Sequence, residues 1–218
     1  MRVKLAVFDC DGTLVDGQAA ICDSMEAAFA SAGLPAPARH DVRRIVGLSL
    51  PQAIRLLAPD AEDMRHRHAV DAYKEAFRAC RLDGTLEEPL FDGMAEVLAD
   101  LAERGWTLGV ATGKSDRGLA SCLAAHGIAE RFVTLQTADR HPSKPDPAML
   151  EAAMAEAGAA PGDTMMIGDT VYDIDMARAA GCRAIGVAWG YHAPEELLAA
   201  GAEAVAATPA ELGDLLDG

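Results

Sequence analysis

The sequence predicts an α/β protein in which a doubly wound parallel sheet carries an inserted, all-helical segment. From about Trp106 onward, short apolar strand patterns alternate with helical patterns, and this alternation is typical of βαβ units and a parallel sheet. Between the first predicted strand and this region, several helical patterns occur but no convincing strand. We therefore expect an α/β core made of residues 1–15 and 89–218, and a helical cap domain made of residues 16–88.

Each predicted element follows from a local pattern of apolar residues. Leu5–Phe8 is a short apolar run, which predicts a strand buried on both faces. Prolines separate the helical patterns of the insert, and glycines close several of those in the core. The predicted helices of the insert are Ala19–Ala32, Asp41–Val46, Pro51–Leu57 and Ala61–Leu82. The later predicted elements are strand Thr107–Ala111, helix Ser115–His126, strand Phe132–Leu135, helix Pro147–Ala157, strand Thr164–Ile167, helix Tyr172–Ala180 and strand Ala184–Val187.

Composition narrows the classes of partner. The chain has 218 residues, is 50% hydrophobic and carries a formal net charge of −15, so its surface repels nucleic acid and anionic membranes. It has no long apolar run, so we expect no membrane span, and the short segment before the first strand leads us to expect no signal peptide. Its five cysteines form no C-x-x-C pair, which favours a reducing, cytoplasmic location. We expect a monomer or weak homodimer.

The first predicted strand ends on two carboxylates, Asp9 and Asp11. Alternate residues of an extended segment share a face, so both can point toward one spot. Two acids there repel each other unless a cation lies between them or one holds a proton. The pair could therefore bind Mg²⁺, or supply a nucleophile beside a proton donor. A simple turn is the alternative, whereas an EF-hand is excluded because Leu14 stands where that loop needs glycine.

Polar residues also follow the later predicted strands: Thr112-Gly113, Lys144 and Asp169. If the strands are parallel, these residues meet Asp9 and Asp11 at one edge of the sheet. The set offers acids for a metal, a hydroxyl and a helix N-terminus for a phosphate, and an ammonium for developing charge. Asp173, one helical turn beyond Asp169, can face the same site. The segment Gly109–Ser115 is one residue too short for a P-loop.

Four motifs in this order resemble those of the haloacid dehalogenase superfamily. They are Asp9-x-Asp11-Gly-Thr, Thr112-Gly113, Lys144-Pro145 and Gly168-Asp169-x-x-x-Asp173. The helical insert after the first motif resembles the superfamily's α-helical cap, so the resemblance covers the whole chain. Within the superfamily, the chain is similar to the phosphoglycolate phosphatase and β-phosphoglucomutase branch, which has a Rossmann-like core.

The resemblance implies roles for the motif residues. Asp9 would attack phosphorus and become an aspartyl phosphate, while Asp11 would protonate the leaving alcohol and later deprotonate water. Thr112, Gly113 and Lys144 would hold the phosphoryl oxygens. Mg²⁺ would be bound by Asp9, the backbone carbonyl of Asp11 and Asp169, with Asp173 as a further acid. The resemblance further implies that the substrate is a small phosphorylated metabolite. The branch also leaves a sugar-phosphate mutase open as an alternative to a phosphatase.

Two other classes are weighed against this interpretation. A phospho-accepting receiver domain also clusters acids on a doubly wound sheet, but it would need no helical cap. A phosphonate hydrolase would need a cap lysine for a Schiff base, and Lys74, the only lysine in the cap, is interpreted as a helix-surface charge. Substrate selection is assigned to the turn Gly47-Leu48-Ser49 and the nearby Arg43 and Arg44, with solvated helix charge as the alternative for each arginine.

Overall fold

A computed structural model describes residues 2–217 of the chain. The strands found there are β1 (Lys4–Phe8), β2 (Trp106–Thr112), β3 (Phe132–Thr137), β4 (Thr164–Gly168), β5 (Arg183–Val187) and β6 (Ala204–Ala206). They form one parallel sheet in the order β3-β2-β1-β4-β5-β6. The chain moves from β1 outward to β3 on one side, then crosses back to β4 and continues to β6. This doubly wound topology confirms the predicted fold class.

Helices separate and follow these strands, and the four helices predicted in the insert are present within about two residues of their predicted ends. The α-helices are α1 (Gln18–Ser31), α2 (Arg39–Arg44), α3 (Leu50–Leu57), α4 (Asp63–Leu82), α5 (Met94–Glu103), α6 (Asp116–Ala125), α7 (Ala148–Ala157), α8 (Val171–Ala179), α9 (Pro194–Ala200) and α10 (Pro209–Asp217). Sequence analysis had not assigned β6, α5, α9 or α10. None of the helices in residues 2–217 is long and apolar enough to cross a membrane.

The sheet is covered on both faces because alternate residues of β1 point in opposite directions. Ala6 and Phe8 join a hydrophobic cluster with residues of α5, α6 and α10. Leu5 and Val7 join a second cluster with residues of α7, α8 and α9. All four of these β1 side chains are fully buried, as expected for a central strand of a parallel sheet. This packing holds the carboxyl end of β1 in a fixed position.

Helices α1 to α4 pack around a hydrophobic cluster of their own. Its buried members include Met25 and Phe29 of α1, Val42 of α2 and Ile54 of α3. The two segments that join these helices to the sheet lie side by side, since Val15 pairs with Leu90 in an antiparallel bridge. The helices therefore leave the core and rejoin it at neighbouring points. Their assignment as a separate domain of residues 16–88 stays a prediction.

Candidate active site

Two acids extend directly from adjacent strands at the centre of the sheet. Asp9 follows β1, Asp169 follows β4, and Phe8 pairs with Ile167 in the register of these strands. The backbone N–H of Asp9 donates to the Ile167 carbonyl at 2.9 Å. Connections on the two sides of β1 run in opposite directions along the sheet, which is where open α/β sheets form a ligand crevice. The structure thus brings the two predicted acids together at one edge.

Asp173 joins them to form a three-acid cluster. Carboxylate oxygens of Asp9, Asp169 and Asp173 lie within 4.8 Å of one another, and all three residues are fully buried. The hydroxyl of Thr13 donates to Asp169 Oδ1 at 2.8 Å, and the backbone N–H of Tyr191 donates to Asp169 Oδ2 at 2.9 Å. These two bonds hold the carboxylate of Asp169 in place, and the carboxylates of Asp9 and Asp173 lie close to it.

Asp173 is held by the first turn of α8. Asp173 Oδ2 accepts hydrogen bonds from the hydroxyl of Thr170 at 2.7 Å and from its backbone N–H at 3.1 Å, an arrangement that caps the helix. The other carboxylate oxygen accepts from Lys144 Nζ at 2.6 Å. The sequence interpretation that Asp173 faces the site therefore agrees with its position. Asp175, interpreted there as a plain surface charge, pairs with Arg178 at 3.1 Å.

Lys144 carries a fully buried ammonium between two of the acids. Its Nζ lies 2.9 Å from Asp9 Oδ1 and 2.6 Å from Asp173 Oδ1. Burial by itself lowers the pKa of this lysine, but the two carboxylates more than reverse the effect and hold it above its ordinary value. A buried lysine so paired keeps its charge, and it provides local positive potential in an acidic protein.

Burial has the largest effect on the pKa values of Asp9 and Asp169, two acids near this lysine. It raises the pKa of Asp9 to about 7, although Lys144 opposes the shift. Burial also raises the pKa of Asp169 well above its ordinary value, with the charges of Asp9 and Asp173 adding to the effect. Carboxylates packed this closely resist ionising together unless a cation compensates them.

The three-acid cluster fits a hard divalent cation. Asp9 Oδ2 is buried without a hydrogen-bond partner among the described residues, while Asp9 Oδ1 contacts the Lys144 ammonium at 2.9 Å. Glycines let the backbone pack directly against the other acids, since a Cβ at Gly168 would lie 2.4 Å from Asp173 and one at Gly190 would lie 2.2 Å from Asp169. Buried, unsatisfied carboxylate oxygens are the ligands that Mg²⁺ and Ca²⁺ prefer.

Asp11 is held apart from this cluster. Its Oδ1 lies 3.0 Å from Lys114 Nζ, which also lies 2.5 Å from Glu88 Oε1. Of the two aspartates that follow β1, Asp9 belongs to the three-acid cluster and Asp11 has a lysine partner of its own. The chain turns immediately at Gly12, with φ of 86°, so Asp11 no longer continues the strand. Burial raises the pKa of Asp11, while Lys114 opposes the shift.

Lys114 is a site residue that sequence analysis missed. In the sequence it stands within the near match to a P-loop. The sequence feature that could have identified Lys114 is its position two residues beyond Thr112, at the end of the same strand. Its ammonium lies 5.3 Å from the centre of the Phe77 ring, so it links Asp11 to the helical insert. Burial lowers the pKa of Lys114, but the carboxylates of Asp11 and Glu88 help to raise it well above its ordinary value.

The predicted phosphate-binding residues lie under the helical insert. Thr112 is buried, and its Oγ1 accepts a hydrogen bond from the backbone N–H of Lys114 at 3.2 Å. A Cβ at Gly113 would lie 2.5 Å from the Leu48 carbonyl oxygen and 2.7 Å from that of Gly47. Only glycine permits this close approach between core and insert.

The predicted selecting turn, Gly47-Leu48-Ser49, covers the acids. A Cβ at Gly47 would lie 3.9 Å from Asp9 Oδ2. The backbone N–H of Ser49 donates to the hydroxyl of Ser143 at 2.7 Å, one residue before Lys144. The turn therefore contacts both Gly113 and the loop that carries Lys144.

Arg43 and Arg44, the two arginines predicted to select substrate, contact residues outside the three-acid cluster. Arg44 donates two hydrogen bonds to Glu196 of α9, at 2.7 and 2.8 Å. The Arg44 carbonyl also accepts from the hydroxyl of Tyr172 at 3.2 Å. Arg43 reaches Gln18 at 3.5 Å. In this arrangement Arg44 joins the insert to the core. A cavity lies between the insert and the core, and neither arginine lines it.

That cavity has a volume of about 710 Å³. Asp11, Gly113 and Lys114 line it from the core, while Gly47, Leu48 and residues of α1, α3 and α4 line it from the insert. It therefore opens onto Asp11 and gives a second molecule a path to the edge of the site. Clefts of this size are typical of small-molecule sites.

Comparison with known proteins decides the family. Residues 6–187 match the sequence model of the haloacid dehalogenase-like hydrolases. The chain belongs to this family. "Probable phosphatase IndB" of Dickeya dadantii (strain 3937) is 38% identical, over 95% of this chain and 91% of that protein. Phosphoglycolate phosphatase of Vibrio vulnificus (strain CMCP6) is 29% identical, over 99% of this chain and 96% of that one.

Another relative and a solved structure similar to this haloacid dehalogenase-like hydrolase are also described as phosphatases. N-acetylmuramic acid 6-phosphate phosphatase of Pseudomonas aeruginosa is 34% identical, over 100% of this chain and 96% of that protein. A crystal structure described as a predicted phosphatase from Clostridium acetobutylicum superposes with a TM-score of 0.88 at 26% identity, covering 99% of both chains. The chain is thus a hydrolase of the phosphatase type, which confirms the resemblance and sets aside the receiver-domain alternative.

Proposed function

We propose that this hydrolase is a Mg²⁺-dependent phosphatase that cleaves a small phosphomonoester through an aspartyl-phosphate intermediate. The observation that carries the proposal is the state of Asp9. Its Oδ2 is buried without a hydrogen-bond partner among the described residues, and the ammonium of Lys144 lies 2.9 Å from its Oδ1. A carboxylate oxygen kept free of hydrogen bonds beside a buried cation is available for attack on phosphorus.

In the first step, an oxygen of Asp9 attacks phosphorus and the bond from phosphorus to the leaving oxygen breaks. Asp11 gives its proton to that oxygen, so the alcohol leaves neutral. Burial raises the pKa of Asp11, which favours the protonated form that this step needs. In the second step, Asp11 takes a proton from water, which attacks the aspartyl phosphate and releases inorganic phosphate and free Asp9.

The remaining residues bind the phosphoryl group and a cation. The hydroxyl of Thr112 and the backbone N–H of Gly113 would donate to phosphoryl oxygens, and Lys144 would neutralise charge on them. Asp9, the backbone carbonyl of Asp11 and Asp169 would hold Mg²⁺, with Asp173 beside them. When bound, Mg²⁺ supplies positive charge against the phosphoryl oxygens and allows the crowded carboxylates to ionise.

The helical insert would act as a cap domain of residues 16–88. Its turn Gly47-Leu48-Ser49 covers Asp9 and contacts Gly113, so the site must open before a substrate can reach the nucleophile. Closure would then exclude water from the aspartyl phosphate. The adjacent connections at Val15 and Leu90 provide the hinge for this motion.

The decisive experiment compares Asp9→Asn with Asp175→Asn. An amide does not attack phosphorus, so Asp9→Asn should lose turnover of an aryl phosphate and lose acid-stable radiolabelling by acetyl phosphate. Asp175→Asn changes an exposed aspartate paired with Arg178, and it should keep both. Labelling of Asp9→Asn at the parent level would refute the nucleophile.

Metal dependence is tested on the parent protein. Chelation with EDTA should abolish turnover of the aryl phosphate, and Mg²⁺ should restore it. Full activity in EDTA would contradict the metal assignment. The mutase alternative is separated by the product: glucose 1-phosphate should yield inorganic phosphate from a phosphatase and glucose 6-phosphate from a mutase.

A further inference from the structure

The cavity beside Asp11 is much larger than a two-carbon leaving group requires. Its volume is about 710 Å³, which lies within the range of about 300–1,000 Å³ found for sites that enclose drug-sized ligands. The buried Asp9 does not line it, whereas Asp11 does. Since Asp11 is assigned to protonate the leaving oxygen, this space lies on the leaving-group side of the reaction.

The wall of the cavity on the insert is mainly apolar. It includes Ile21 and Met25 of α1, Leu50 of α3, and Tyr73 and Phe77 of α4. The rings of Tyr73 and Phe77 stack with their centres 5.8 Å apart. Charged residues of both signs also line the cavity, including Asp71, Lys74 and Arg78, and these three are exposed. An apolar interior with polar groups at exposed positions is typical of a small-molecule site.

A chain of contacts connects this wall to the reacting group. The Phe77 ring lies 5.3 Å from Lys114 Nζ, and that ammonium lies 3.0 Å from Asp11 Oδ1. A group packed against Phe77 therefore lies next to the carboxylate that must reach the leaving oxygen.

We propose that the substrate's leaving group is ring-sized and largely apolar, and that it binds between Phe77, Met25 and Leu48 in the cavity beside Asp11. This inference rests on the proposed phosphatase function and narrows its substrate class. A two-carbon alcohol such as glycolate leaves most of the cavity unfilled and most of its apolar wall exposed to water. A ring removes that wall from water and contributes binding free energy.

The test is a series of alkyl phosphates of equal charge and increasing apolar area: ethyl, benzyl and 2-naphthylmethyl phosphate, with phosphoglycolate as the small anionic comparator. All release primary alcohols, so differences in leaving-group chemistry are small. Each is assayed with the Mg²⁺-loaded parent protein, and acetyl phosphate reports the phosphatase chemistry itself. Benzyl phosphate should exceed both ethyl phosphate and phosphoglycolate in kcat/KM by at least about tenfold.

Variants locate the effect in the wall. Phe77→Ala should lower the benzyl-to-ethyl ratio of kcat/KM by about tenfold, and Phe77→Leu, which keeps an apolar side chain in place, should lower it less. The matched control is Met64→Ala on the same helix: Met64 is 68% exposed and does not line the cavity, so the ratio should stay at the parent value.

The outcomes separate the two proposals. If acetyl phosphate is hydrolysed but ethyl and benzyl phosphate are turned over equally well, the ring-sized leaving group is wrong and the phosphatase function stands. The same conclusion follows if phosphoglycolate is the best of the series, or if Met64→Ala changes the ratio as much as Phe77→Ala. If no phosphate compound is hydrolysed, the proposed function fails and this inference fails with it.

Discussion

Lys114 Nζ lies 3.0 Å from Asp11 Oδ1, and this ion pair separates Asp11 from the three acids around Lys144. The two aspartates of the first motif are only two residues apart, yet each is paired with a different buried lysine. Asp9 thereby joins the three-acid cluster, while Asp11 faces the cavity. The proposed nucleophile and the proposed proton donor need different surroundings, and the two lysines provide them.

The first prediction concerns Asp11→Asn. The amide neither protonates an alkoxide nor deprotonates water, so turnover of alkyl phosphates should fall by roughly 10²–10⁴-fold. The labelling step with aryl phosphates should suffer less, because their leaving groups need little protonation. Steady-state rates and burst amplitudes on both classes check this. Parent-like activity on alkyl phosphates would remove Asp11 from its assigned role.

The second prediction concerns Lys114→Met. Lys114 lies within 3.0 Å of both Asp11 and Glu88, and its side chain is 8% exposed. Without the ammonium, two buried acids face each other uncompensated, which should cost roughly 3–5 kcal/mol of the free energy of unfolding. It should also raise the pKa of Asp11 further, moving its limb of the pH–rate profile upward.

The matched control for this pair is the double variant Lys114→Met with Glu88→Gln. Removing one of the two acids should restore part of the lost stability in urea unfolding. A double variant as unstable as the single one would show that Lys114 stabilises the fold by packing instead of charge.

The third prediction is a pH dependence of stability in EDTA. Burial raises the pKa of Asp9 to about 7, above its ordinary value of about 4. Between these values the folded protein holds a proton that the unfolded chain has lost, so the free energy of unfolding should fall as the pH rises through this window. Asp9→Asn should fall less steeply. Equal slopes for the two proteins, measured by urea unfolding, would contradict the raised pKa.

The fourth prediction concerns Arg44 and Glu196, which are paired at 2.7 Å across the insert and the core. The hydrogen bonds from Arg44 lower the pKa of Glu196 to about 2, so the pair should stay ionised throughout the neutral range. If the pair only holds the insert closed, Arg44→Met and Glu196→Gln should change KM equally, by up to about fivefold, and the double variant should add nothing. A larger effect of Arg44→Met alone would instead support the sequence-based prediction that Arg44 selects substrate.

The fifth prediction compares two glycines with left-handed backbone. Gly47 has φ of 96° and Gly33 has φ of 65°, so alanine should cost each about 1 kcal/mol of stability. A Cβ at Gly47 would lie 3.2 Å from Thr170 Oγ1 and 3.9 Å from Asp9 Oδ2, whereas one at Gly33 would meet nothing within 4 Å. Gly47→Ala should therefore slow turnover of every substrate, including acetyl phosphate, while Gly33→Ala should leave kcat unchanged. Parent-like kcat in Gly47→Ala would show that the turn moves away from Asp9 during turnover.

Local sequence patterns determined the positions of five of the six strands and of the acids that follow them. Leu5–Phe8 and Thr164–Ile167 are largely apolar runs, which are typical of strands buried on both faces of a parallel sheet. Both observed strands extend one residue beyond these runs, as Lys4–Phe8 and Thr164–Gly168. Once the strands are parallel, their carboxyl ends share an edge, so the meeting of Asp9 and Asp169 followed from topology alone. Asp173 was predictable for a similar reason, since helical spacing returns it to the same side.

Only the tertiary structure decided which partners these residues have. Lys114 pairs with Glu88, and Arg44 pairs with Glu196, 152 residues further along the chain. Such contacts depend on how the helical insert rests on the core, and no local period or spacing encodes that placement. The same holds for the cavity beside Asp11, whose walls come from helices of the insert and strand ends of the core. The sequence thus determined the chemistry at the sheet edge, whereas the packing of the insert decided the space around it.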